Sequence, residues 1–402
     1  MESVRILRIA AGGDGVGRLA DGRTVFVPRT APGDLLEPAD LRLHARFARA
    51  RVGSLVEPGP GRVVPRCAHY RDDDCGGCQL QHLDLTSQHT ARRAIAGDAL
   101  RRIAKLSFED PELESWGSEW HYRSRITLAV DARRQVAGFH RVGDAEGVFP
   151  LVRCEIADER LNEAWRLVSS ASAGWPPALS HIVLRVGRDD RVHVVFRGPV
   201  KPEPSWGDQP GFVSWWEAPD AAPRRISREN GGAGQIPPGV FEQVHRSMGA
   251  RIRAFALDLL GPVKDELVWD LYAGIGETSA LLAERGARVE SVELDPEAVA
   301  TAEGVPTERV TRHAGAVEGW IDRMSPPAAV ITNPPRTGMA ESVVRGLVTR
   351  RPGRIVYISC DPATLARDLF RFGAAYRVTG LRSFDLFPQT AHVETVVRMD
   401  RA

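Results

Sequence analysis

The sequence has no apolar run near eighteen residues, so no segment reads as a membrane-spanning helix. Its opening, Met-Glu-Ser-Val-Arg, lacks the apolar core of a secretory signal, and the expectation is a cytoplasmic protein without membrane contact. Lysine is nearly missing. Lys105, Lys201 and Lys264 are the only three, so arginine carries almost all the positive charge. That bias fits genomic base composition and fits guanidinium forks for phosphate equally well. A net charge of +1 does not by itself announce a nucleic-acid partner. Cysteine is scarce and odd in number, at five, which argues against a disulfide framework. Cys67, Cys75, Cys78 and Cys154 fall in the first half and Cys360 stands alone. Four thiolates make one complete metal or cluster site and leave a single cysteine for chemistry.

At 402 residues the chain is long enough for two or three domains with real cores. Residues 1–60 predict a small β-barrel. Val4–Ile9 alternates as a strand, Gly12, Gly13, Gly15 and Gly17 mark turns, Thr24–Val27 is a second strand, and Leu41–Phe47 and Arg49–Val56 follow. Residues 1–66 hold eleven arginines against seven acidic residues, a bias compatible with RNA contact or with an ordinary solvated surface. No helix pattern follows the glycines, so they are not a dinucleotide fingerprint. A Pro/Gly linker at 58–66 leads into a central α+β region, 61–231. That region holds a helix over 83–106, strands at Tyr122–Val130, Ile182–Val186 and Val192–Phe196, and a long loop at Pro199–Pro223. The arginines on the helix, Arg92, Arg93, Arg101 and Arg102, read mostly as a solvated face.

Cys67, Cys75 and Cys78 sit close together, within Asp74-Cys75-Gly76-Gly77-Cys78-Gln79-Leu80-Gln81-His82, and Cys154 lies far downstream. The glycines let backbone wrap closely round a bulky ligand. Zinc accepts four thiolates, but a zinc ribbon presents two close pairs and the second pair is missing here. Three clustered cysteines plus a remote fourth suit an iron–sulfur cube better.

Residues 232–402 alternate strands and helices, which implies a doubly wound α/β sheet. Leu267–Tyr272 is a strand ending in Ala273-Gly274-Ile275-Gly276, and Arg288–Leu294 is a second, ending near Glu293 and Asp295. Val310–His313 is a third, and Ala328–Thr332 a fourth, ending in Asn333-Pro334-Pro335-Arg336. Glycines at the first loop permit close backbone approach, and Glu293 can accept from ribose hydroxyls. Position 279 is Ser where a dinucleotide site prefers a third glycine, so the layout fits S-adenosylmethionine better than NAD. Asn333 brings a polar group beside the cofactor methyl.

Ile355–Ile358 is the fifth strand, Pro362 suits the first turn of a helix, and Leu365, Leu369 and Phe372 recur at helical spacing. Cys360 therefore sits where a strand ends and a helix begins, the edge where such sheets bind ligands. Free N–H groups at the helix start are expected to lower its thiol pKa. Two readings stand for it: a nucleophile, or a buried structural cysteine.

The ordered set Cys75-Gly-Gly-Cys78-Gln-Leu-Gln-His82, Asp270-Leu-Tyr-Ala-Gly-Ile-Gly276, Asn333-Pro-Pro-Arg336-Thr-Gly338, Ser359-Cys360-Asp-Pro362 and His392-Val-Glu394-Thr-Val resembles the bacterial RNA uridine-5-methyltransferase family that carries an N-terminal TRAM domain and a 4Fe–4S cluster. The resemblance spans essentially the whole chain. It implies a TRAM-like, OB-like barrel at 1–60, a cluster-binding α+β domain at 61–231 and a methyltransferase domain at 232–402, with helix 83–106 packed on the last. It implies Cys360 as nucleophile, Glu394 as base, and Gln243, Tyr272, Gly274, Gly276, Glu293 and Asn333 at the cofactor and uracil. Cys67, Cys75, Cys78 and Cys154 fall on the cluster ligands, and a monomer acting on ribosomal or transfer RNA is the expectation. The family often has Asp at 333, Asn at 277 and at 245, and an acid at 316, where this chain has Asn, Glu, His and Ala. Two other classes remain: a cytosine-5-methyltransferase, though the fourth-strand loop has no Cys, and a non-catalytic RNA-binding protein, which intact Cys360 and Glu394 argue against.

Overall fold

The computed structural model describes residues 3–171, 174–199, 212–219, 224–225, 242–301 and 308–402. Five strands, β1 (Val4–Ile9), β2 (Gly15–Arg18), β3 (Thr24–Val27), β4 (Leu35–Leu43) and β5 (Phe47–Glu57), close a barrel in the order β1-β2-β3-β5-β4. Period-two alternation sends Val4, Ile6, Val25, Val27, Leu36, Ala48 and Ala50 into its interior. Gly15–Arg18, expected as a turn, is a strand. Its glycines serve close approach, because a Cβ on Gly15 would lie 1.9 Å from Thr30 Oγ1 and one on Gly17 2.8 Å from the Arg5 carbonyl oxygen. The strand expected over 41–47 starts earlier, at Leu35, and stops at Leu43, where the chain bends before β5.

Two helices follow, α1 (Ala68–Asp72) and α2 (Leu85–Arg102). Asp84 caps α2 by accepting from Ser87 N at 2.7 Å. One stretch of α2 packs Ala91 and Ile95 against Ile9, Leu80 and Val393. The next, with Ala99, Leu100 and Ala104, enters the core that holds Leu365 and Leu369. Arg92, on the face read as solvated, is fully buried; Arg93, Arg101 and Arg102 are exposed. The short β6 (Leu113–Glu114) leaves to join the C-terminal sheet.

The central sheet contains β7 (Arg125–Asp131), β8 (Val136–Arg141), β9 (Asp144–Pro150), β10 (His181–Val186), β11 (Val192–Arg197), β12 (Phe212–Glu217) and β13 (Arg224–Arg225), in the order β13-β12-β11-β10-β7-β8-β9. Leu161, Ala164, Trp165 and Val168 of α3 (Glu159–Ala171) cover one face. The loop expected over 199–223 is interrupted by β12, which pairs parallel with β11 from Val192↔Phe212. Its Phe-Val-Ser-Trp-Trp run is β-prone, and Phe212 and Val213 are buried against the sheet. Residues 200–211 and 220–223 of that expected loop lie outside the described residues.

The C-terminal part runs α4 (Arg246–Leu260), β14 (Leu267–Leu271), α5 (Glu277–Glu284), β15 (Arg288–Glu293), α6 (Pro296–Ala300), β16 (Val310–Ala314), α7 (Val317–Trp320), β17 (Ala329–Thr332), α8 (Glu341–Arg350), β18 (Arg354–Ser359), α9 (Pro362–Phe372), β19 (Tyr376–Phe384) and β20 (Glu394–Arg401). The sheet order is β16-β15-β14-β17-β18-β20-β19-β6. Strands β14 to β18 are parallel, and the central three, β14, β17 and β18, are buried on both faces, which is why they appear in the sequence as largely apolar runs. Strand β20 is antiparallel to both its neighbours. The strand order reverses between β14 and β17, so a crevice opens beyond their C-terminal ends.

Arg92 Nη2 donates to Asp385 Oδ2 at 2.7 Å, and Nη1 to Thr390 O at 2.9 Å. Asp385 is also buried. Removing one partner of a buried pair leaves an uncompensated charge. Arg92→Ala is therefore expected to lower stability by about 3–5 kcal/mol in urea denaturation, and a loss below about 1 kcal/mol, the range of an exposed pair, would contradict the buried pairing.

Candidate active site

The first wall of the crevice is the turn after β14. Tyr272, Gly274 and Gly276 all take positive φ, at 61°, 55° and 85°, which folds the backbone tightly below the start of α5. Glu293, at the end of β15, knots this turn: its Oε2 accepts from Gly274 N and its Oε1 from Asp295 N, both at 2.8 Å. Arg312 Nη2 donates to the Gly274 carbonyl at 2.7 Å from the other side. Asp270 is buried beneath, accepting from Ser279 Oγ at 2.6 Å. Burial pushes its carboxyl up to about 6, against the opposing pull of Ser279 and Arg312. Ser279 thus ties helix to strand. Asp270 stands in the sequence only as the first residue of the Asp270–Gly276 motif, with no role of its own, and nothing in the sequence singles out Arg312.

The second wall is the loop after β17. Asn333 N donates to Leu271 O at 3.2 Å, which sets this loop beside the first. Gln243 is half-buried ahead of α4 and packs against Gly249, where an added Cβ would lie 2.9 Å from Gln243 Cβ. Phe241 lies outside the described residues. His245 is buried and stacks on Tyr122 at 5.0 Å, and burial lowers its pKa. Glu277 is committed to two arginines, Arg188 at 2.5 Å and Arg253 at 3.0 Å.

The next strand pair brings Cys360 and Glu394 together. The antiparallel register of β18 and β20 pairs Ser359 with Thr395. Cys360 is the residue after that pair on one strand and Glu394 the residue before it on the other, so both stand at the same end of one ladder. Glu394 is 1% exposed, and its Oε2 has no hydrogen-bond partner among the described residues. Burial pushes its carboxyl up to about 8, partly offset by the charge of Arg336, which is exposed in the loop after β17. The Cys360 thiol is pushed up to about 11, by burial first and the Glu394 charge second. This reverses the lowering expected from the sequence. The helix-start N–H groups are already taken: Asp361 Oδ1 accepts from Ala363 N at 2.9 Å and Thr364 N at 2.8 Å. The carboxylate that caps α9 occupies the position the thiolate was expected to use. His392 is half-buried nearby, lies edge-on to Phe387 at 5.8 Å, and has its pKa lowered by burial.

Away from this crevice, Cys67, Cys75, Cys78 and Cys154 line a single cavity of about 340 Å³. All four are free thiols. Among the described residues, no three His, Cys, Asp or Glu side chains are gathered tightly enough for one metal ion. Cys67, Cys78 and Cys154 share an apolar shell with Tyr70, Ile156, Trp120 and Tyr122. Gly77 N donates to Cys75 Sγ at 3.5 Å. Burial pushes the Cys75 thiol up to about 12 and raises Cys78 and Cys154 as well. The walls therefore resist thiolates unless positive charge enters with them. Four sulfurs round a space this wide fit a group of several atoms better than a lone ion, which holds sulfur at about 2.3 Å.

The doubly wound sheet, its switch-point crevice and the glycine turn with a carboxylate behind it form a cofactor crevice of the kind found in S-adenosylmethionine-dependent methyltransferases. A family model described as tRNA (Uracil-5-)-methyltransferase matches residues 325–402. An uncharacterized RNA methyltransferase of Nostoc sp. is 32% identical over 443 residues, covering 97% of this chain and 94% of its own length. The 23S rRNA (uracil(1939)-C(5))-methyltransferase RlmD of Thiobacillus denitrificans is 30% identical over 440 residues, covering 99% of both chains. The solved tRNA (uracil-54, C5)-methyltransferase of Pyrococcus abyssi, in complex with S-adenosyl-L-homocysteine, shares the fold at a TM-score of 0.75 and 23% identity, over 98% of this chain and 99% of its own. This chain belongs to the RNA uracil-5-methyltransferase family.

The buried carboxyl of Glu394 has a measurable consequence in the protein alone. Its folded pKa, about 8, lies above the ordinary glutamate value. The folded state therefore holds the proton more tightly, and this contribution to stability is complete below the unfolded pKa and is lost as pH rises through about 8. Glu394→Gln does not titrate. Its stability relative to wild type is expected to rise steadily between about pH 5 and 8, by up to roughly 1.4 kcal/mol per pH unit. Urea denaturation across that range checks this, and a difference independent of pH would contradict it.

Proposed function

We propose that this protein transfers a methyl group from S-adenosylmethionine to C5 of a uridine in structured RNA, with Cys360 as the nucleophile and Glu394 as the base. The observation that carries this reading is the juxtaposition of Cys360 with a buried carboxyl that has an unpartnered oxygen, at one end of the β18–β20 ladder. Uracil C5 is a poor nucleophile. Addition of the Cys360 thiolate to C6 generates an enolate whose C5 takes the methyl group. S-adenosylmethionine supplies that methyl on a sulfonium, leaving as S-adenosylhomocysteine. Glu394 then removes the C5 proton, the C6–S bond breaks, and the thiolate is regenerated. A carboxyl with a pKa of about 8 matches a base working near neutral pH. Gln243, Tyr272, Gly274, Gly276, Glu293 and Asn333 contact the cofactor and the uracil, and the target base leaves its stack to enter.

RNA as the substrate rests on the relatives, whose names specify 23S rRNA and tRNA; ribosomal and transfer RNA are both substrates this reading admits. The barrel of β1 to β5 serves as a TRAM-like RNA contact. The protein acts as a cytoplasmic monomer, and no helix among the described residues is long and apolar enough to cross a membrane. Cys67, Cys75, Cys78 and Cys154 hold a 4Fe–4S cluster in their shared cavity, where its iron supplies the charge the buried thiolates need. Anaerobically purified protein is expected to be brown, with iron and sulfide in roughly cube stoichiometry, and Cys154→Ser is expected to lose it. Stoichiometric zinc without sulfide would overturn the cluster.

The chemistry separates the two reacting residues. Cys360→Ala is expected to abolish both methyl transfer and covalent attachment to RNA, because C5 is never activated. Glu394→Gln still permits attack and methylation, but proton removal stalls, so methylated RNA accumulates as a covalent adduct on a denaturing gel. Wild type should form such an adduct stably only with 5-fluorouridine RNA, because fluorine at C5 does not leave as a proton. A well-folded Glu394→Gln protein without adduct would move the base to another residue, and trapping by 5-fluorocytidine RNA instead would change the substrate.

A further inference from the structure

Residues 385–393, between β19 and β20, have no helix or strand of their own, and they deliver the chain into Glu394. Three consecutive carbonyl oxygens in this loop accept from the N-terminal half. Pro388 O accepts from Tyr122 Oη at 2.9 Å, Gln389 O from Gln79 N at 3.2 Å and Leu80 N at 3.0 Å, and Thr390 O from Arg92 Nη1 at 2.9 Å. Gln389 is the fixed point among them. Its φ of 70° is costly for a residue other than glycine and persists only where the surroundings over-determine it. The surroundings do so. Gln88 Nε2 donates to Gln389 Oε1 at 2.9 Å, and Gln389 N donates to Gln88 Oε1 at 3.2 Å. Both side chains are buried, and Gln88 is held in turn by Leu83 O at 3.0 Å. Gln79 Oε1 accepts from Ala391 N at 3.4 Å, one step nearer to Glu394. Gln79 and Leu80 directly follow Cys78, so the loop is clasped by the segment that leaves the cysteine cavity.

Cys360 is held differently. It follows β18 and sits beside the Asp361 cap of α9, and neither element makes any of these bonds. The clasp therefore bears on the chain that enters Glu394 and not on the segment that carries the thiol. We infer that Gln389, locked by Gln88 and by the backbone after Cys78, is a positioning residue for Glu394, so that release of the product depends on the N-terminal half while attack at C6 does not. This rests on the methyl-transfer reading above. A displacement of about 1 Å at a reacting group can slow a step by about a hundredfold.

The test uses the full-length protein, with Gln389→Ala and Gln88→Ala, and compares single-turnover methyl transfer with turnover to free RNA. Both variants are expected to transfer the first methyl within about threefold of wild type and to release product at least about tenfold more slowly. Both should accumulate a methylated covalent adduct through Cys360. A general loss of structure would slow attack and release alike. Equal slowing of both steps without adduct, or no change in either, would overturn the inference. Gln88→Ala leaves both backbone bonds to Gln389 O in place and keeps the test open if Gln389→Ala does not fold; failure of both to fold would make the clasp a folding requirement and overturn the positioning role. Wild type with 5-fluorouridine RNA separates the two levels. If it forms neither adduct nor 5-methyluridine, the methyl-transfer reading itself fails, and the positioning role with it.

Discussion

A carboxyl buried beside a thiol at the end of one β-ladder is the constraint on which the rest depends. Burial raises both groups, and the charge of Glu394 makes ionisation of the Cys360 thiol harder still. A protein that only needed stability would place an apolar pair there. Strand β20 instead begins on Glu394, with one carboxyl oxygen unpartnered among the described residues. Apolar burial in the surrounding strands offsets that cost: Ile355, Val356, Tyr357, Val396 and Val397 are all fully buried. The same antiparallel pairing that finishes the sheet sets the two groups side by side, so the fold and the chemistry share one feature. The exposed Arg336, in the loop after β17, supplies the positive charge that eases both ionisations.

The two halves of the chain are not stacked as independent units. Helix α2 belongs by sequence to the N-terminal half, but its residues fill the core beneath α9 and its Arg92 is buried against Asp385. Strand β6 extends the C-terminal sheet. Arg188, from the turn between β10 and β11, pairs with Glu277 at the start of α5. These contacts join the N-terminal half, which carries the cysteine cavity, to the C-terminal sheet.

Much of this was legible in the chain because its signals are local. Largely apolar runs marked the central parallel strands β14, β17 and β18, and proline two residues after Cys360 marked the start of α9. The glycine turn after β14 showed itself through residues that must adopt positive φ. What stayed hidden depends on partners distant in sequence. Nothing near Arg92 distinguishes it from the exposed Arg93 and Arg101; its partner Asp385 is 293 residues away. Gln389 is an ordinary glutamine until its φ and its bonds to Gln88 and the Cys75–His82 segment are seen. The thiol of Cys360 was misjudged for a more local reason. A capping aspartate one residue on takes the helix N–H groups, and this depends on its rotamer, which the pattern alone does not fix. Strand β12 was hidden by the proline and glycine around it, whose turn signals outweighed its four β-prone residues, Phe212, Val213, Trp215 and Trp216.

The central claim is that Glu394 removes the C5 proton after Cys360 has activated the ring. Tritium release measures that step directly. With RNA carrying tritium at C5 of uridine, wild type should release one tritium for each methyl transferred, and Cys360→Ala should release none. Glu394→Gln should transfer the methyl group while retaining the tritium on the bound RNA. Tritium release by Glu394→Gln in step with methyl transfer, at the wild-type rate, would contradict the account.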